Sequence, residues 1–310
     1  MAERKRTGAF TLIELLVVVS IIAALVGILL PSLSRARQQA RATVCSANLR
    51  TLGQGIIMYA NTYQDRLLPG RMPKVDDENW QVQIAGGLKY RPTFLAMMGN
   101  EVGVPPFADP QPTKLTDDRE GEPGDRQNYA SPVYVCPSVA SWTDERNGSY
   151  GWNYQFLGNS RLRDSSDPFS FKNWPNNLSR VRSASACVAV GDSMGTAAGH
   201  PERSRKDYAN NTKDVMRYGD EGFNLDPPNI DLELGEVAGY KHSPGVRSAA
   251  HDRHLGKAVI LWVDGHCSPQ TLESLGYNVA GDGTVGIDGD NRLWSLDRSK
   301  GPWLLDPAEP

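Results

Sequence analysis

The sequence lacks the short motifs that mark several common classes of function. It has no phosphate-binding glycine motif, no HExxH pair, no paired CxxC and no internal repeat. No basic face argues for nucleic acid, and the formal charge at pH 7 is only −3. No serine or cysteine lies in a recognisable nucleophile motif. We therefore expect a protein that is not itself an enzyme and that does not bind nucleic acid.

Cysteine is scarce. The four cysteines, Cys45, Cys136, Cys187 and Cys267, are widely spaced, which excludes a zinc ribbon. If the folded part lies outside the cytoplasm, disulfides are possible and four cysteines allow three pairings. Buried free thiols are an equal alternative.

Charge is almost absent from one long apolar run near the N-terminus. From Phe10 to Leu30 there is no Lys, Arg or Asp, and Glu14 is the one ionisable residue. About 20 apolar residues cross a bilayer as a helix. A carboxylate there costs about 2.5–3.5 kcal/mol on insertion scales, so Glu14 asks for a functional reason.

The apolar run has three simple interpretations: a secretory signal peptide, a plain membrane anchor and a buried core helix. A secretory signal peptide is disfavoured, because its apolar region has only about 7–15 residues and the run from Phe10 to Leu30 is longer. A plain membrane anchor explains the length of the run but not the position of Glu14. A buried core helix is disfavoured because soluble folds do not usually bury so long a run.

The residues around the run resemble the type IV prepilin signal of pilins and pseudopilins. Gly8-Ala9 is followed by Phe10-Thr11-Leu12-Ile13-Glu14, with Pro31 at a position where many pilins carry a proline. The resemblance implies cleavage by a prepilin peptidase after Ala9, or alternatively after Gly8. It also implies methylation of the new N-terminus at Phe10, and pairing of Glu14 with the N-terminus of a neighbouring subunit.

The same resemblance implies an α+β fold in which a long helix packs on a β-rich, loop-rich globular head. The expected segments are a leader over 1–9, a transmembrane helix over 10–30, an amphipathic spine helix over 31–63 and a head with long insertions over 64–310. A single-pass protein of the inner (cytoplasmic) membrane is implied, with its head periplasmic or extracellular, and with a place in surface filaments as one option.

The implied function is that of a subunit of a type II secretion or type IV pilus-like filament. Its implied partners are prepilin peptidase, other pilin or pseudopilin subunits, the inner-membrane assembly platform and membrane lipid. A second hypothesis is a metal- or ligand-binding head, or even an enzyme, on a pilin-type anchor. A third is a static anchor whose adhesive head never polymerises.

A helical pattern resumes after Pro31 and predicts one helix from Phe10 to about Tyr63, kinked at the proline. One face of its second half should pack on the head. The apolar residues that recur mostly at steps of three or four are Leu33, Ala36, Ala40, Val44, Ala47, Leu52, Ile56, Tyr59 and Tyr63.

The remaining sequence contains many of the chain's 30 glycines and 21 prolines, which predicts a loop-rich β head. Candidate strands lie at 134–136, 186–190 and 258–263. We expect surface excursions with few strands over 69–130 and a long polar insertion over 201–240.

A second motif consists of His254, nine intervening residues, and Asp264-Gly265. It resembles the signature of the prepilin-type processing-associated His-x9-Asp-Gly family. Three further pieces agree with that family: Cys45-Ser46-Ala47-Asn48-Leu49-Arg50, Cys136-Pro137-Ser138 and Ser149-Tyr150-Gly151-Trp152-Asn153-Tyr154.

The residues of this motif predict a strand pair. The run 258–263 is a buried strand, and Asp264-Gly265 makes a tight turn that requires positive φ. The His254 side chain would hydrogen-bond a backbone carbonyl or Asp264 and so hold the hairpin together. The alternative is a metal site that recruits His251, His254, His266 and Asp264, because histidine is a common metal ligand.

An acidic, glycine-rich loop over 281–294 resembles the calcium loop near the C-terminus of major type II secretion pseudopilins. Calcium binds six to eight oxygens, and Asp282, Asp288 and Asp290 are its candidate ligands here. The loop is not an EF-hand, because it lacks the closing Glu. The alternative is a solvated hairpin.

Overall fold

In a computed structural model of the chain, the residues described are 11–70, 81–112, 115–117, 122–124, 127–140, 149–158, 175–205, 222–229, 248–286 and 288–300. The chain divides into two compact units, Met1–Ala40 and Arg41–Pro310. We call them the first and the second unit. The predicted leader, 1–9, lies outside the described residues.

Helix α1 runs without interruption from Leu12 to Thr62, with Pro31 inside it. This confirms the predicted single helix. In its first part, every residue from Thr11 to Arg41 is exposed. In its second part, one face is buried and consists of Cys45, Leu49, Leu52, Gly53, Gly55, Ile56 and Ala60.

The buried face of α1 differs from the predicted one. Leu52 and Ile56 are buried as expected, but Val44 is 50% exposed and Ala47 is also exposed. Cys45 takes the inward position next to Val44. The apolar step pattern could not separate these two neighbours, because Val and Cys both suit a core and only contacts with the second unit select between them.

The second unit contains a five-stranded mixed sheet in the order β7-β5-β6-β8-β9. Its strands are β5 (Tyr150–Asn153), β6 (Val188–Asp192), β7 (Asn224–Leu225), β8 (Ala258–Trp262) and β9 (Cys267–Gln270). The pairs β5-β6, β6-β8 and β8-β9 are antiparallel, and β5-β7 is parallel. Together with α1, this sheet confirms the α+β class.

Both faces of β8 are buried, and its side chains alternate between two apolar cores. Val259 and Leu261 belong to the core that also contains Leu49 and Leu52 of α1. Ala258, Ile260 and Trp262 belong to the other core. A strand with two covered faces explains the uninterrupted apolar run seen in the sequence.

Smaller elements surround the sheet. Two antiparallel hairpins are β1 (Gln81–Ile84) with β2 (Gly87–Tyr90) and β3 (Leu115–Asp117) with β4 (Glu122–Gly124), and helix α2 covers Phe94–Glu101. Short 3-10 helices lie at Pro132–Tyr134, Leu178–Arg180, Ala184–Ala186, Gly195–Gly199 and Glu202–Ser204.

Of the three predicted strands, one was wrong, one was wrong in part and one was confirmed. The segment 134–136 is not a strand, because Pro132 begins a 3-10 helix there, capped by the Ser131 hydroxyl, which accepts from Val133 N–H. The strand predicted at 186–190 begins two residues later, at Val188. By contrast, the strand at 258–263 is confirmed over Ala258–Trp262.

The segments predicted as surface excursions contribute to the core. Within 69–130, Leu95 and Met98 of α2 are fully buried, and short strands are present. Most of the predicted insertion 201–240 lies outside the described residues. Its described part includes strand β7, whose Asn224 and Leu225 are buried.

Candidate functional site

The N-terminus of α1 is closed by a reciprocal pair of side-chain contacts. The Thr11 N–H and hydroxyl both donate to Glu14 Oε2, at 2.9 and 2.8 Å, and the Glu14 N–H donates to the Thr11 hydroxyl at 3.3 Å. This is a capping box, in which two orphan N–H groups of the first turn find acceptors. The spacing Thr-x-x-Glu is a sequence signal for it that sequence reasoning overlooked. Gly8, Ala9 and Phe10 lie outside the described residues.

The helix that follows is apolar on every side. It is long and apolar enough to cross a membrane, and its most apolar stretch is not buried by the rest of the protein. Leu12, Leu16 and Ile28 are among its most exposed side chains, at 79%, 62% and 74%. So much exposed apolar surface needs a cover of lipid or of other protein.

The His-x9-Asp-Gly motif forms the hairpin that was predicted, but not with the predicted staple. Gly265 has a φ of +90° and turns the chain from β8 into β9. Asp264 accepts from the His266 backbone N–H at 3.1 Å and contacts His266 Nδ1 at 2.6 Å. Among the described residues, the His254 side chain hydrogen-bonds neither Asp264 nor a backbone carbonyl. It is buried in the interior of the second unit.

Four ligand-type side chains meet in the interior of the second unit. Cys45, Cys136, Asp192 and His254 each offer one atom, and these four atoms all lie within 4.8 Å of one another. We call these residues the buried cluster. All four are buried: His254 is 3% exposed and the other three are fully enclosed.

Each member of the buried cluster is held by a different element. Cys45 lies on α1, Cys136 follows the 3-10 helix Pro132–Tyr134, Asp192 ends β6, and His254 lies in the turn before β8. The turn is closed by His254 N–H to the Lys257 carbonyl, at 3.0 Å. Four segments far apart in the sequence therefore supply one side chain each.

The distances within the buried cluster are short. Asp192 Oδ2 lies 3.2 Å from His254 Nε2, and Cys136 Sγ lies 3.2 Å from the same nitrogen. Cys45 Sγ lies 3.5 Å from Asp192 Oδ1. The other ring nitrogen of His254, Nδ1, is buried without a hydrogen-bond partner among the described residues.

Neighbouring groups fix the Asp192 carboxylate in place. Val259 N–H donates to its Oδ2 at 2.8 Å, and Arg253 Nε lies 3.7 Å from its Oδ1. The Tyr150 hydroxyl lies 3.4 Å from Cys45 Sγ. Such support from surrounding groups orients the members of a polar cluster.

The cluster shifts the acidity of its members strongly. A hydrogen bond with Cys45 is the main cause that lowers the pKa of Cys136, to about 6, against its burial. Burial by itself would lower the pKa of His254, but hydrogen bonds with Asp192 and Cys136 outweigh it and raise that pKa to about 9. Burial also raises the pKa of the Cys45 thiol. Burial opposes ionisation of Asp192, yet Arg253 and His254 outweigh it and hold the pKa of this carboxyl below its usual value.

Sequence reasoning did not connect these residues. It proposed His254 as a metal ligand together with His251, His266 and Asp264, and the structure does not bring those four together. His266 pairs with Asp264 at the hairpin turn, and His251 is not a member of the cluster. The sequence nevertheless contained a signal for the buried cluster, because Cys45, Cys136 and His254 each lie in one of the separate motif pieces quoted above.

The other two cysteines lie apart from the cluster. All four cysteines are free, with Cys187 buried and Cys267 partly buried. Cys187 Sγ lies 3.5 Å from the Trp294 carbonyl oxygen. Burial raises the pKa of the Cys187 thiol to about 12. These two thiols are well suited as reference positions for experiments on the cluster.

The three aspartates of the acidic loop are bound separately. Asp282 accepts from the Thr284 N–H at 3.0 Å, Asp288 from the Asn278 side chain at 3.0 Å, and Asp290 pairs with Arg292 at 2.8 Å. Within the described residues the three carboxylates do not form a ligand group like the buried cluster. Calcium binding at this loop stays a prediction.

Comparison with protein families adds to these observations. A model described as "Prokaryotic N-terminal methylation motif" matches residues 4–30. With the apolar helix, this match supports a membrane-anchored protein that is similar to type IV pilins and pseudopilins.

A second family model, described as "Protein of unknown function (DUF1559)", matches residues 34–223, and the chain belongs to this family. Neither the curated proteins nor the solved structures gave a match to the chain. The resemblance to the His-x9-Asp-Gly family stays a prediction.

Proposed function

We propose that this protein is a filament subunit of a type II secretion or type IV pilus-like machine. In this proposal prepilin peptidase removes residues 1–9 and methylates Phe10, and the first part of α1 then associates with other subunits at an inner-membrane assembly platform. The head lies on the periplasmic or extracellular side. The subunit itself is not an enzyme.

The observation that carries the proposal is the contrast between an apolar, fully exposed helix and the methylation motif at its start. The exposed side chains from Leu12 to Leu33 need a cover. Lipid covers them before assembly, and equivalent helices of other subunits would cover them afterwards. A plain anchor needs only the first of these covers and has no use for a methylation motif.

Glu14 has one role in the isolated chain and a different role in a filament. In the isolated chain its carboxylate accepts from Thr11, which satisfies the first turn of α1. In a filament, the same carboxylate would pair with the new N-terminus of a neighbour. Such a pair in a low-dielectric bundle offsets two desolvation costs and sets the axial register of subunits.

The first experiment is intact mass and N-terminal sequencing of the protein from cells with and without a prepilin peptidase. We expect loss of residues 1–9 and a methyl group on Phe10, and only where the peptidase is present. Cleavage after Gly8 would shift the start by one residue and leave the proposal intact. An uncut Met1, or a start beyond the apolar run, would overturn it.

The second experiment separates the charge of Glu14 from its capping contact. Glu14→Gln keeps an oxygen acceptor for Thr11 and removes the charge, whereas Thr11→Ala keeps the charge and removes the hydroxyl contacts. We expect Glu14→Gln and Glu14→Ala to be cleaved normally but to lose crosslinking between subunits. Thr11→Ala should still assemble.

If Glu14→Gln assembles like the unchanged protein, the charge does not set the register. Capping would then be the whole role of this residue. Ser20→Ala is a matched control, because the Ser20 hydroxyl bonds only within the helix, to the Val17 carbonyl at 2.7 Å.

The buried cluster favours no enzymatic alternative. Its four side chains are enclosed by protein, and a catalytic metal site keeps an open position for water or substrate. A role in holding the second unit together fits the burial better and is compatible with a filament subunit.

A further inference from the structure

We propose that Cys45, Cys136, Asp192 and His254 bind one Zn²⁺ ion as a structural site in the second unit. The site is independent of processing and assembly. Nothing in the filament proposal requires it, and it does not require the filament.

The spacing of the four ligand atoms fits a single zinc ion. Zinc bonds of about 2.0–2.3 Å in a tetrahedron place the ligand atoms about 3.3–3.8 Å apart. Asp192 Oδ2 and Cys136 Sγ each lie 3.2 Å from His254 Nε2, and Cys45 Sγ lies 3.5 Å from the other carboxylate oxygen, Asp192 Oδ1. One ligand atom from each of the four residues lies within 4.8 Å of the others. Small side-chain adjustments would bring a central ion within bonding distance of all four.

The ligand types of the buried cluster also fit zinc. Two sulfurs, one imidazole nitrogen and one carboxylate oxygen are all established ligand types for zinc. Tetrahedral coordination by two sulfurs and two harder donors is typical of zinc rather than of calcium or magnesium, which prefer oxygen. The carboxylate also disfavours a purely soft ion such as Cu(I).

The charges in and around the buried cluster would balance with Zn²⁺ bound. Two thiolates, one carboxylate and a neutral imidazole carry three negative charges. Zn²⁺ and the nearby Arg253 guanidinium, 3.7 Å from Asp192, carry three positive ones. A buried group of charges is stable only when it is paired in this way.

The site would stabilise the fold of the second unit rather than catalyse a reaction. All four ligands come from protein and all are buried, which is the arrangement of a structural rather than a catalytic zinc site. The ion would join α1, the segment after the Pro132–Tyr134 helix, the end of β6 and the turn before β8. These four segments are separated by long stretches of sequence, so one ion would close several long loops.

A disulfide between Cys45 and Cys136 is the competing outcome, because their sulfurs lie close together. It would leave Asp192 and His254 without a shared ion and would be formed by loss of two electrons and two protons to an oxidant. The two outcomes differ in thiol count, mass and metal content.

The test uses the full chain, produced in cells and purified from membranes in detergent without chelator. Elemental analysis should find one zinc per chain. Cys136→Ser and His254→Ala should each reduce the amount of zinc bound per chain at least about tenfold, since each removes a ligand. Cys187→Ser and Cys267→Ser are matched controls that change a thiol outside the cluster, and both should keep the zinc.

A measurement on the unchanged protein covers the case in which a ligand variant does not fold. Zinc is removed and replaced with Co²⁺, which gives intense visible bands and a sulfur-to-metal charge-transfer band when it is tetrahedral with thiolate ligands. X-ray absorption on the zinc form should show two sulfur and two lighter neighbours. These signatures would support the site without any substitution.

Three results would overturn the proposal. One is a chain whose four thiols are all free after unfolding, but which binds no stoichiometric Zn²⁺ or Co²⁺. Another is a chain whose mass is lower by two hydrogens and which has two fewer free thiols, with a Cys45–Cys136 disulfide found by peptide mapping. The third is zinc that remains in both Cys136→Ser and His254→Ala.

Discussion

The two parts of α1 differ in what covers their apolar side chains. From Thr11 to Arg41 every residue is exposed, although this stretch is the more apolar one. From Cys45 to Ala60 the inward residues are buried in the second unit. One helix therefore meets two environments, and apolar character alone does not tell which part lies in the protein core.

The glycines of α1 show the same difference. A Cβ on Gly27 would have nothing within 4 Å, whereas a Cβ on Gly53 would lie 2.6 Å from Leu261 Cδ1. A Cβ on Gly55 would overlap with the carbonyl oxygen of Met98. In the first part glycine is a neutral choice with respect to packing, and in the second part it permits close approach of β8 and α2.

The largest effect is expected from truncating a leucine in the second part. Leu49 is fully buried, so Leu49→Ala should destabilise the second unit by about 2–5 kcal/mol. Leu16 is 62% exposed, so Leu16→Ala should leave that unit unchanged. Thermal unfolding of the full chain in detergent, followed by near-UV circular dichroism, compares them. Equal losses in both variants would break the distinction between the two parts.

A smaller effect is expected at the glycines. Gly55→Ala should destabilise the second unit by about 1–3 kcal/mol, because the added methyl group meets backbone rather than a flexible side chain. Gly27→Ala should be neutral or favour the helix by up to about 1 kcal/mol. The same unfolding measurement applies. A stable Gly55→Ala protein would show that α2 does not approach α1 as closely as described.

The smallest effect is expected at the helix start. Thr11→Ala removes one half of the capping box and should cost about 1 kcal/mol in the first turn. Amide hydrogen exchange should rise at residues 12–14 and stay unchanged from Cys45 onwards. Ser20→Ala should change neither region. Faster exchange throughout α1 would mean that the two parts are coupled.

Features that depend on neighbouring residues could be predicted from the sequence. The apolar run and the step pattern predicted α1, because helix periodicity is local. The run 258–263 followed by Asp264-Gly265 predicted the β8-β9 hairpin, because a glycine with positive φ satisfies the turn. The 3-10 helix at Pro132–Tyr134 was missed because a proline and its capping serine outweighed the β-branched residues there.

Features that depend on contacts between residues far apart in the sequence could not be predicted. Helix α2 lies in a proline- and glycine-rich segment that was predicted to be at the surface. Residues 94–99 of this helix are nevertheless buried, because other elements pack around them. His254 was assigned to its own hairpin, with a backbone carbonyl or Asp264 as its expected partner. The structure pairs it instead with Asp192, which the strand pairing of β6 with β8 brings close.

The sequence by itself determined the long apolar helix with its Glu14, the N-terminal segment that resembles a prepilin signal, and the β8-β9 turn. Each of these follows from residues a few positions apart, whose spacing on a helix or in a turn is set by backbone geometry. Only the tertiary structure decided which face of α1 is buried and that Cys45, Cys136, Asp192 and His254 meet. Those outcomes depend on how separate segments pack, and side chains that share no local pattern become neighbours only when the core closes around them.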